Sequence, residues 1–410
     1  MSQYFWPENF RINELSAELV RRGHEVTVLT GLPNYPDGKV FAEYRDNPSA
    51  FCAYQGVQVV RVPLLPRGKG AARLLLNYAS FVLSACLLGA WRLRGKSFDV
   101  VFTFEPSPIF VGIPAALMRF LKGAPHALWV LDLWPDTLKA VGILKSDRLL
   151  AGVGAVVRWI YRRCDLILAQ SRSFVEHIRR YAPTRTPVEY FPAWADDVFA
   201  DGAAVMAAPE VPLAPQCFTV LFAGNIGEAQ DFPAILDAAE RLRERTDIRW
   251  IIVGDGRVAN WVRVQIEQRG LAACVQMAGR HPLDRMPSFF AHADALLVSL
   301  RDEPIFSMTI PGKLQAYLGA GIPVLAMLDG EGARIVEEAD AGLVCAAGDG
   351  SGLAANVARL AKVSVGERRR LGDNGRRFCH GEFDRMVLMD RLETMFRELA
   401  VRHTGNRRKR

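Results

Sequence analysis

The chain has 410 residues, half of them hydrophobic, which is too long for one ordinary core and apolar enough to build two. Its seven cysteines (Cys52, Cys86, Cys164, Cys217, Cys274, Cys345 and Cys379) are odd in number and scattered without a C-x-x-C pair. This excludes a disulfide framework or a zinc knuckle and leads us to expect reduced thiols inside a cell. The net charge of +7 is local: Arg61, Arg67, Lys69, Arg73, Arg92, Arg94 and Lys96 lie in a stretch with no acid between Asp46 and Asp99, and Arg402, Arg407, Arg408, Lys409 and Arg410 close the chain. Without these twelve the remainder is negative by the same count, which suits an anionic surface and argues against nucleic-acid binding.

The opening, MSQYFWPENF, lacks the basic and apolar regions of a signal peptide. It also reads as the loop after a strand. A doubly wound domain normally opens with the strand that becomes the middle of its sheet, so that strand is expected to be missing, and a start codon placed too far downstream is the plain explanation. A helix is predicted over 13–22, ended by Gly23, followed by strands at 26–30 and 57–62. Residues 74–91 form an uncharged run of 18, roughly 27 Å as a helix. It can be a buried crossover, a membrane-docking helix or a span. Docking is favoured, because the strands on either side must share one sheet and the flanks are basic.

Further strands are predicted at 100–104, 127–132 and 166–169, with a helix starting at Ser171-Arg172-Ser173. After Phe191 the pattern breaks into an Ala-, Pro- and Gly-rich stretch that reads as a linker. A second series of strands follows at 219–223, 250–253, 275–278, 295–300, 324–326 and 343–345. Strands alternating with helix-length segments predict two doubly wound α/β domains. The expected boundaries are 1–195, a linker at 196–217, a second domain at 218–382, and a C-terminal helix with a basic tail at 383–410. The ligand cleft is expected between the two domains.

The chemistry sits in the turns. Gly224-Asn225-Ile226-Gly227-Glu228-Ala229-Gln230 lies between a strand and a helix, where glycine permits close approach and a helix start offers free amides to an anion. Val253-Gly254-Asp255-Gly256 and Gly279-Arg280-His281-Pro282 end two more strands of the same sheet; Asp255 reads as a helix cap or a ligand, and Arg280 as a phosphate contact or a solvated cation. In Pro311-Gly312-Lys313-Leu314, a lysine stands in the first turn of a helix, where the dipole disfavours a cation. A bound diphosphate would remove that conflict.

These motifs, Gly-Asn-x-Gly-x-x-Gln, Gly-Asp-Gly, and Pro-Gly-Lys-x-x-x-Tyr with Ala320-Gly321-Ile322-Pro323, resemble the family 4 glycosyltransferases of GT-B fold. Tyr4-Phe5-Trp6-Pro7-Glu8, Gly23-His24-Glu25-Val26 and Asp132-Leu133-Trp134-Pro135-Asp136 resemble the bacterial branch that builds O-antigen and capsule repeats, N-acetyl-L-fucosamine transferases among them. The resemblance implies a retaining transferase that moves a sugar from a nucleotide diphosphate, with a UDP-sugar the expected donor and no metal or other cofactor. The donor site it implies comprises Gly224, Asn225, Gly227, Gln230, Gly254, Asp255, Gly256, Arg280, Glu303, Gly312, Lys313 and Tyr317. This chain departs from the pattern where the family has paired glutamates, here Met308 and Ala316, and where it has an Arg and a Lys, here Asn225 and Gln230. Lys313 must then take more of the leaving-group charge.

The histidine often found at the end of the fifth strand falls on Leu131, leaving Asp132 as the acid-base or orienting candidate. Glu105, at a similar strand end, is the third catalytic candidate beside Asp132 and Lys313. Asp136, Glu8, Asn9 and Arg11 are candidates for acceptor contact or simple caps. The expectation is a cytoplasmic enzyme, peripheral on the inner face of the plasma membrane through residues 61–96, acting on a polyprenyl-diphosphate-linked saccharide. A sugar-nucleotide epimerase of the same shape is the alternative, and a two-domain sugar-binding protein a weaker one.

Overall fold

A computed structural model describes residues 1–68, 70–140, 142–196 and 205–408; the side chains of Ala71 and of residues 406–408 are outside that description. Lys69, residues 197–204 in the first half of the linker expected at 196–217, and Lys409 and Arg410 of the basic tail therefore lie outside the described residues. The chain forms two compact units, Met1–Phe191 with Met386–Arg410, and Pro192–Arg385. The final helix, Arg385–Arg408, thus returns to the first unit, where we had expected a separate C-terminal segment.

In the first unit, β1 (Thr27–Gly31), β2 (Ala53–Tyr54) and β3 (Val57–Val62) form one sheet in the order β1-β3-β2. β4 (Val101–Glu105), β5 (His126–Val130), β6 (Leu166–Ala169) and β7 (Val188–Tyr190) form another in sequence order. All pairs are parallel except β2 with β3. Residues 1–3 lie between the two sheets. Ser2 N–H donates to Leu29 (3.2 Å) and Gly31 N–H to Gln3 (3.2 Å) on one side, while Phe104 N–H donates to Met1 (3.0 Å) on the other. Three residues thus stand in the place of the expected central strand. β7 was not foreseen, because three residues after a proline give too short a pattern to read as a strand.

The uncharged run forms the helix Ala71–Ser84, continued through a π turn at Ala85–Gly89 to Ala90–Arg92. Asn77, Phe81, Ala85 and Gly89, spaced by four, face the core, and the opposite stripe is exposed. The buried stripe joins Leu29, Val62, Val101 and Met118 in one cluster, so the segment is a crossover of this unit.

The second unit is one parallel sheet, β8 (Phe218–Ala223), β9 (Ile248–Val253), β10 (Val275–Gly279), β11 (Ala295–Ser299), β12 (Val324–Met327) and β13 (Gly342–Cys345), in the order β10-β9-β8-β11-β12-β13. The order reverses at β8, so its carboxyl end is the topological switch point where open sheets of this kind bind ligands. The part of the expected linker that is described, 205–217, packs on this unit. Ala208 and Val211 are buried, Ala208 N–H donates to Ser288 (2.9 Å), His292 Nε2 lies 2.9 Å from the Ala208 carbonyl, and Arg249 donates to Pro212 (2.6 Å). The composition of a flexible connector therefore belongs here to a strap, fixed because its buried amides and carbonyls find partners.

Candidate active site

Backbone hydrogen bonds join the three glycine turns predicted on one edge of the second unit. Gly224 N–H donates to Val253 (2.9 Å), Ile226 N–H to Asp255 (2.9 Å) and Gly254 N–H to Gly279 (2.7 Å). Gly224 (φ 131°) and Gly254 (φ 143°) adopt conformations closed to other residues. A Cβ on Gly254 would stand 1.9 Å from the Gly224 carbonyl oxygen, and one on Gly224 would stand 2.6 Å from Lys313 Cε. The turns are packed this closely because their side chains are absent.

Lys313 closes this corner. Helix Gly312–Ala320 opens after Pro311 with no side-chain cap, leaving its first amides available to an anion. The Lys313 side chain folds back against Gly224 with Nζ 3.6 Å from the centroid of the Phe222 ring, and the ammonium is buried without a hydrogen-bond partner among the described residues. Burial lowers its pKa to about 7. A buried cation held only by a ring face is far from its best environment, and an arriving diphosphate would supply the missing charge.

Other donor-site candidates fare differently. Asn225 Nδ2 and Gly227 N–H both donate to Gln230 Oε1 (3.4 and 3.1 Å), so these residues shape the loop and bring no charge to it. Asp255 Oδ1 accepts from Gly256 N–H (2.8 Å); it caps no helix, since the next one begins at Ala259. Gly256 sits against the Ile226 carbonyl, and Arg280 is exposed just past β10. Glu303 offers its carbonyl to the amides of Phe306 (2.9 Å) and Ser307 (3.2 Å) at the start of Pro304–Ser307, and Gly312 has open space on its side-chain side. Tyr317 is a correction: it is buried, and its hydroxyl accepts from Ala223 N–H (2.9 Å) and donates to Ala223 O (3.1 Å). Both hydrogen-bonding capacities are used in fastening the helix to β8, so it is no donor contact. Sequence reasoning missed Arg301, exposed beyond β11, whose N–H donates to Ala229 of the glycine loop (2.9 Å).

Glu105, Asp132 and Asp136 lie at or just past the carboxyl ends of β4 and β5. Asp132 accepts from Trp134 Nε1 (3.1 Å) and from the Thr137 hydroxyl. Burial raises its pKa, against the hydrogen bonds of Thr137, Trp134 and Ser107. Ser107, unforeseen, holds φ 132°, a conformation that a serine adopts only under constraint. Glu105 lies beside Asp132 with no exposed surface and no full hydrogen bond to either carboxyl oxygen. Burial, then the Asp132 charge, pushes its pKa well above the ordinary carboxylate range. Glu105 has no exposed surface and cannot touch a substrate in this arrangement, so it is not the catalytic residue expected.

Glu8 is likewise no acceptor contact. It is buried and accepts from the amides of Phe5 (3.2 Å), Asn34 (2.8 Å) and Tyr35 (2.7 Å), which pins the loop after β1. Asn9 is exposed and Arg11 opens the helix Arg11–Arg21. Asp136 starts the helix Asp136–Ala140 with Oδ2 3.0 Å from His177 Nε2, a contact that lowers its pKa. Arg67 was named only for its charge, yet its guanidinium lies over Tyr35 (5.2 Å) and reaches the Tyr4 hydroxyl (3.4 Å), in an aromatic corner where Tyr4 stacks on Phe10.

Comparison with known proteins agrees with this geometry. Residues 9–194 match the family described as Glycosyl transferase 4-like domain, and residues 217–362 match the one described as Glycosyl transferases group 1. The chain is similar to a protein of Escherichia coli K12 named putative colanic acid biosynthesis glycosyl transferase WcaI, 26% identical over 328 residues, covering 77% of this chain and 79% of the relative. It is also similar to the probable glycosyltransferase WbjE of Pseudomonas aeruginosa, 24% identical over 315 residues, covering 75% and 76%. Among solved structures, Anabaena HepE in complex with UDP and glucose superposes with a TM-score of 0.67 at 15% identity, covering 96% of this chain and 97% of the other. Two matched domains, a doubly wound fold in each, and a glycine-rich edge closed by Lys313 place the chain among the family 4 glycosyltransferases of GT-B fold.

Proposed function

We propose that this transferase moves a sugar, with retention at the anomeric carbon, from a UDP-sugar to a lipid-linked saccharide during assembly of a bacterial surface polysaccharide. The reading needs no metal ion and places the enzyme in the cytoplasm, peripheral on the inner face of the plasma membrane. The single observation that carries it is Lys313, whose buried ammonium has no hydrogen-bond partner among the described residues and stands at an uncapped helix start. As the bond between the anomeric carbon and the diphosphate oxygen breaks, negative charge grows on the leaving group, and a fixed cation with aligned amides stabilises it more than the bound donor. With Asn225 and Gln230 neutral, and Met308 and Ala316 in place of acids, Lys313 bears most of that task. Asp132, held in place by Trp134 and Thr137, would take the proton of the acceptor hydroxyl.

Support for the donor comes from HepE, solved with UDP and glucose, and for the pathway class from WcaI, named for colanic acid biosynthesis. The test is turnover with UDP-sugars and a lipid-linked acceptor. Lys313→Ala is expected to reduce it at least tenfold, about 1.4 kcal/mol or more of transition-state stabilisation. Near-normal turnover would remove Lys313 from the mechanism. A new isomer formed from the sugar nucleotide alone would identify an epimerase instead.

A further inference from the structure

The aromatic corner of the first unit holds a cation that the proposed chemistry does not use. Arg67 follows β3, in the loop that leads to helix Ala71–Ser84. Its backbone N–H donates to Asn34 Oδ1 (2.9 Å), and the Gly38 turn closes on it so tightly that a Cβ there would collide with the Arg67 carbonyl. The guanidinium belongs to a half-buried side chain, lies over the Tyr35 ring (5.2 Å) and reaches the Tyr4 hydroxyl (3.4 Å). Among the described residues no acid pairs with it. Glu8 is turned instead to the amides of Phe5, Asn34 and Tyr35. An arginine carries five N–H donors in a plane that fits the edge of a carboxylate or a phosphate, and a ring face with one phenol uses few of them.

The corner adjoins the proposed acceptor base. Tyr78, buried on that helix, meets Trp134 edge-on with 6.2 Å between ring centres, and Trp134 donates to Asp132 (3.1 Å). Burial raises the pKa of the Tyr78 hydroxyl, and the charges of Arg67 and Asp132 act on it in opposite senses. Tyr78 therefore neighbours both. An acceptor whose hydroxyl reaches Asp132 carries the rest of itself toward Arg67. We infer that Arg67 is the subsite for an anionic group of the acceptor, a carrier diphosphate or a sugar carboxylate, bound on the far side of Tyr78 from Asp132. A neutral saccharide fits less well, because it leaves a half-buried cation without a counter-charge. The inference deepens the proposed function and rests on that reading for Asp132 as the base that the acceptor meets.

The test saturates the full chain with UDP, so that a diphosphate probe is kept from Lys313, and titrates it with farnesyl diphosphate and with methyl glucuronide. At least one of the two is expected to bind, the first if the charge belongs to the carrier and the second if it belongs to a sugar. Arg67→Gln should weaken that binding at least about tenfold, while its melting temperature and its UDP binding match those of the unaltered protein. A second measurement does not depend on a variant that folds: treated with phenylglyoxal, the unaltered protein should be modified at Arg67 without the probe and protected with it, as read by mass spectrometry. Binding of neither probe, equal binding by the Arg67→Gln variant, or equal modification of Arg67 with and without the probe would each overturn the inference. An anionic probe held by Arg67 in a chain that binds no UDP would keep the subsite and refute the donor reading instead.

Discussion

At the scale of the residue, Lys313 makes donor binding depend on pH in a calculable direction. Its pKa in the free protein is about 7 because burial penalises the charged form. A bound diphosphate favours the ammonium and raises that value, so above pH 7 binding takes up a proton that the free protein has shed. UDP affinity is therefore expected to be flat below about pH 7 and to fall as pH rises above it, by up to tenfold per unit, until the raised pKa of the complex is passed. Titration calorimetry between pH 6 and 9 checks this, and Lys313→Met should flatten the profile. A slope that survives in the variant would belong to the phosphate or to another group. The same residue shows what can be read from sequence: a lysine in the first turn of a helix is a conflict visible in the letters. Tyr317, Glu8 and Glu105 were misassigned because a motif gives position along the chain and not burial. Each is polar and sits within or beside a motif, yet each is turned inward.

At the scale of the element, the glycine edge is a set of turns that must nest before a ligand can be held. The Gly254 position lies against the Gly224 carbonyl, and its φ of 143° excludes a side chain independently of space. Gly254→Ala is expected to cost at least about 2 kcal/mol of stability and to weaken UDP binding, as measured by chemical denaturation and titration. An unchanged Kd would mean that the turns do not form the donor site. Strand positions were legible from alternating apolar runs between glycine turns, with errors of one or two residues at the ends. The strap at 205–217 was not, because its Ala- and Pro-rich composition is that of any loop. Only the groove beside Ser288 and His292 gives Ala208 its fixed place.

At the scale of the whole molecule, the two-unit architecture was readable from two series of strands, but the ownership of the last helix was not. Amphipathic character shows that a helix has a face to bury, and nothing in it names the surface that will cover that face. Here Leu388, Met389 and Leu392 are buried, Phe396 meets Phe102 at 5.3 Å, Arg391 donates to Tyr190 O (2.9 Å), and Glu393 lies 3.2 Å from Arg22 and 3.1 Å from His24. Leu392→Ala is expected to cost about 2–5 kcal/mol. Hydrogen exchange should then quicken in peptides holding β4 and β7 and stay unchanged in those holding β8 and β9; a uniform change would show that the units do not open separately.

The same return of the chain sets an order on biosynthesis. Because Phe102 and Tyr190 receive their cover from residues beyond 385, the ribosome must deliver all of the intervening unit before the first can be completed. The nascent first unit waits with an open flank while the second, whose parallel sheet draws only on residues already translated, can fold to completion ahead of it.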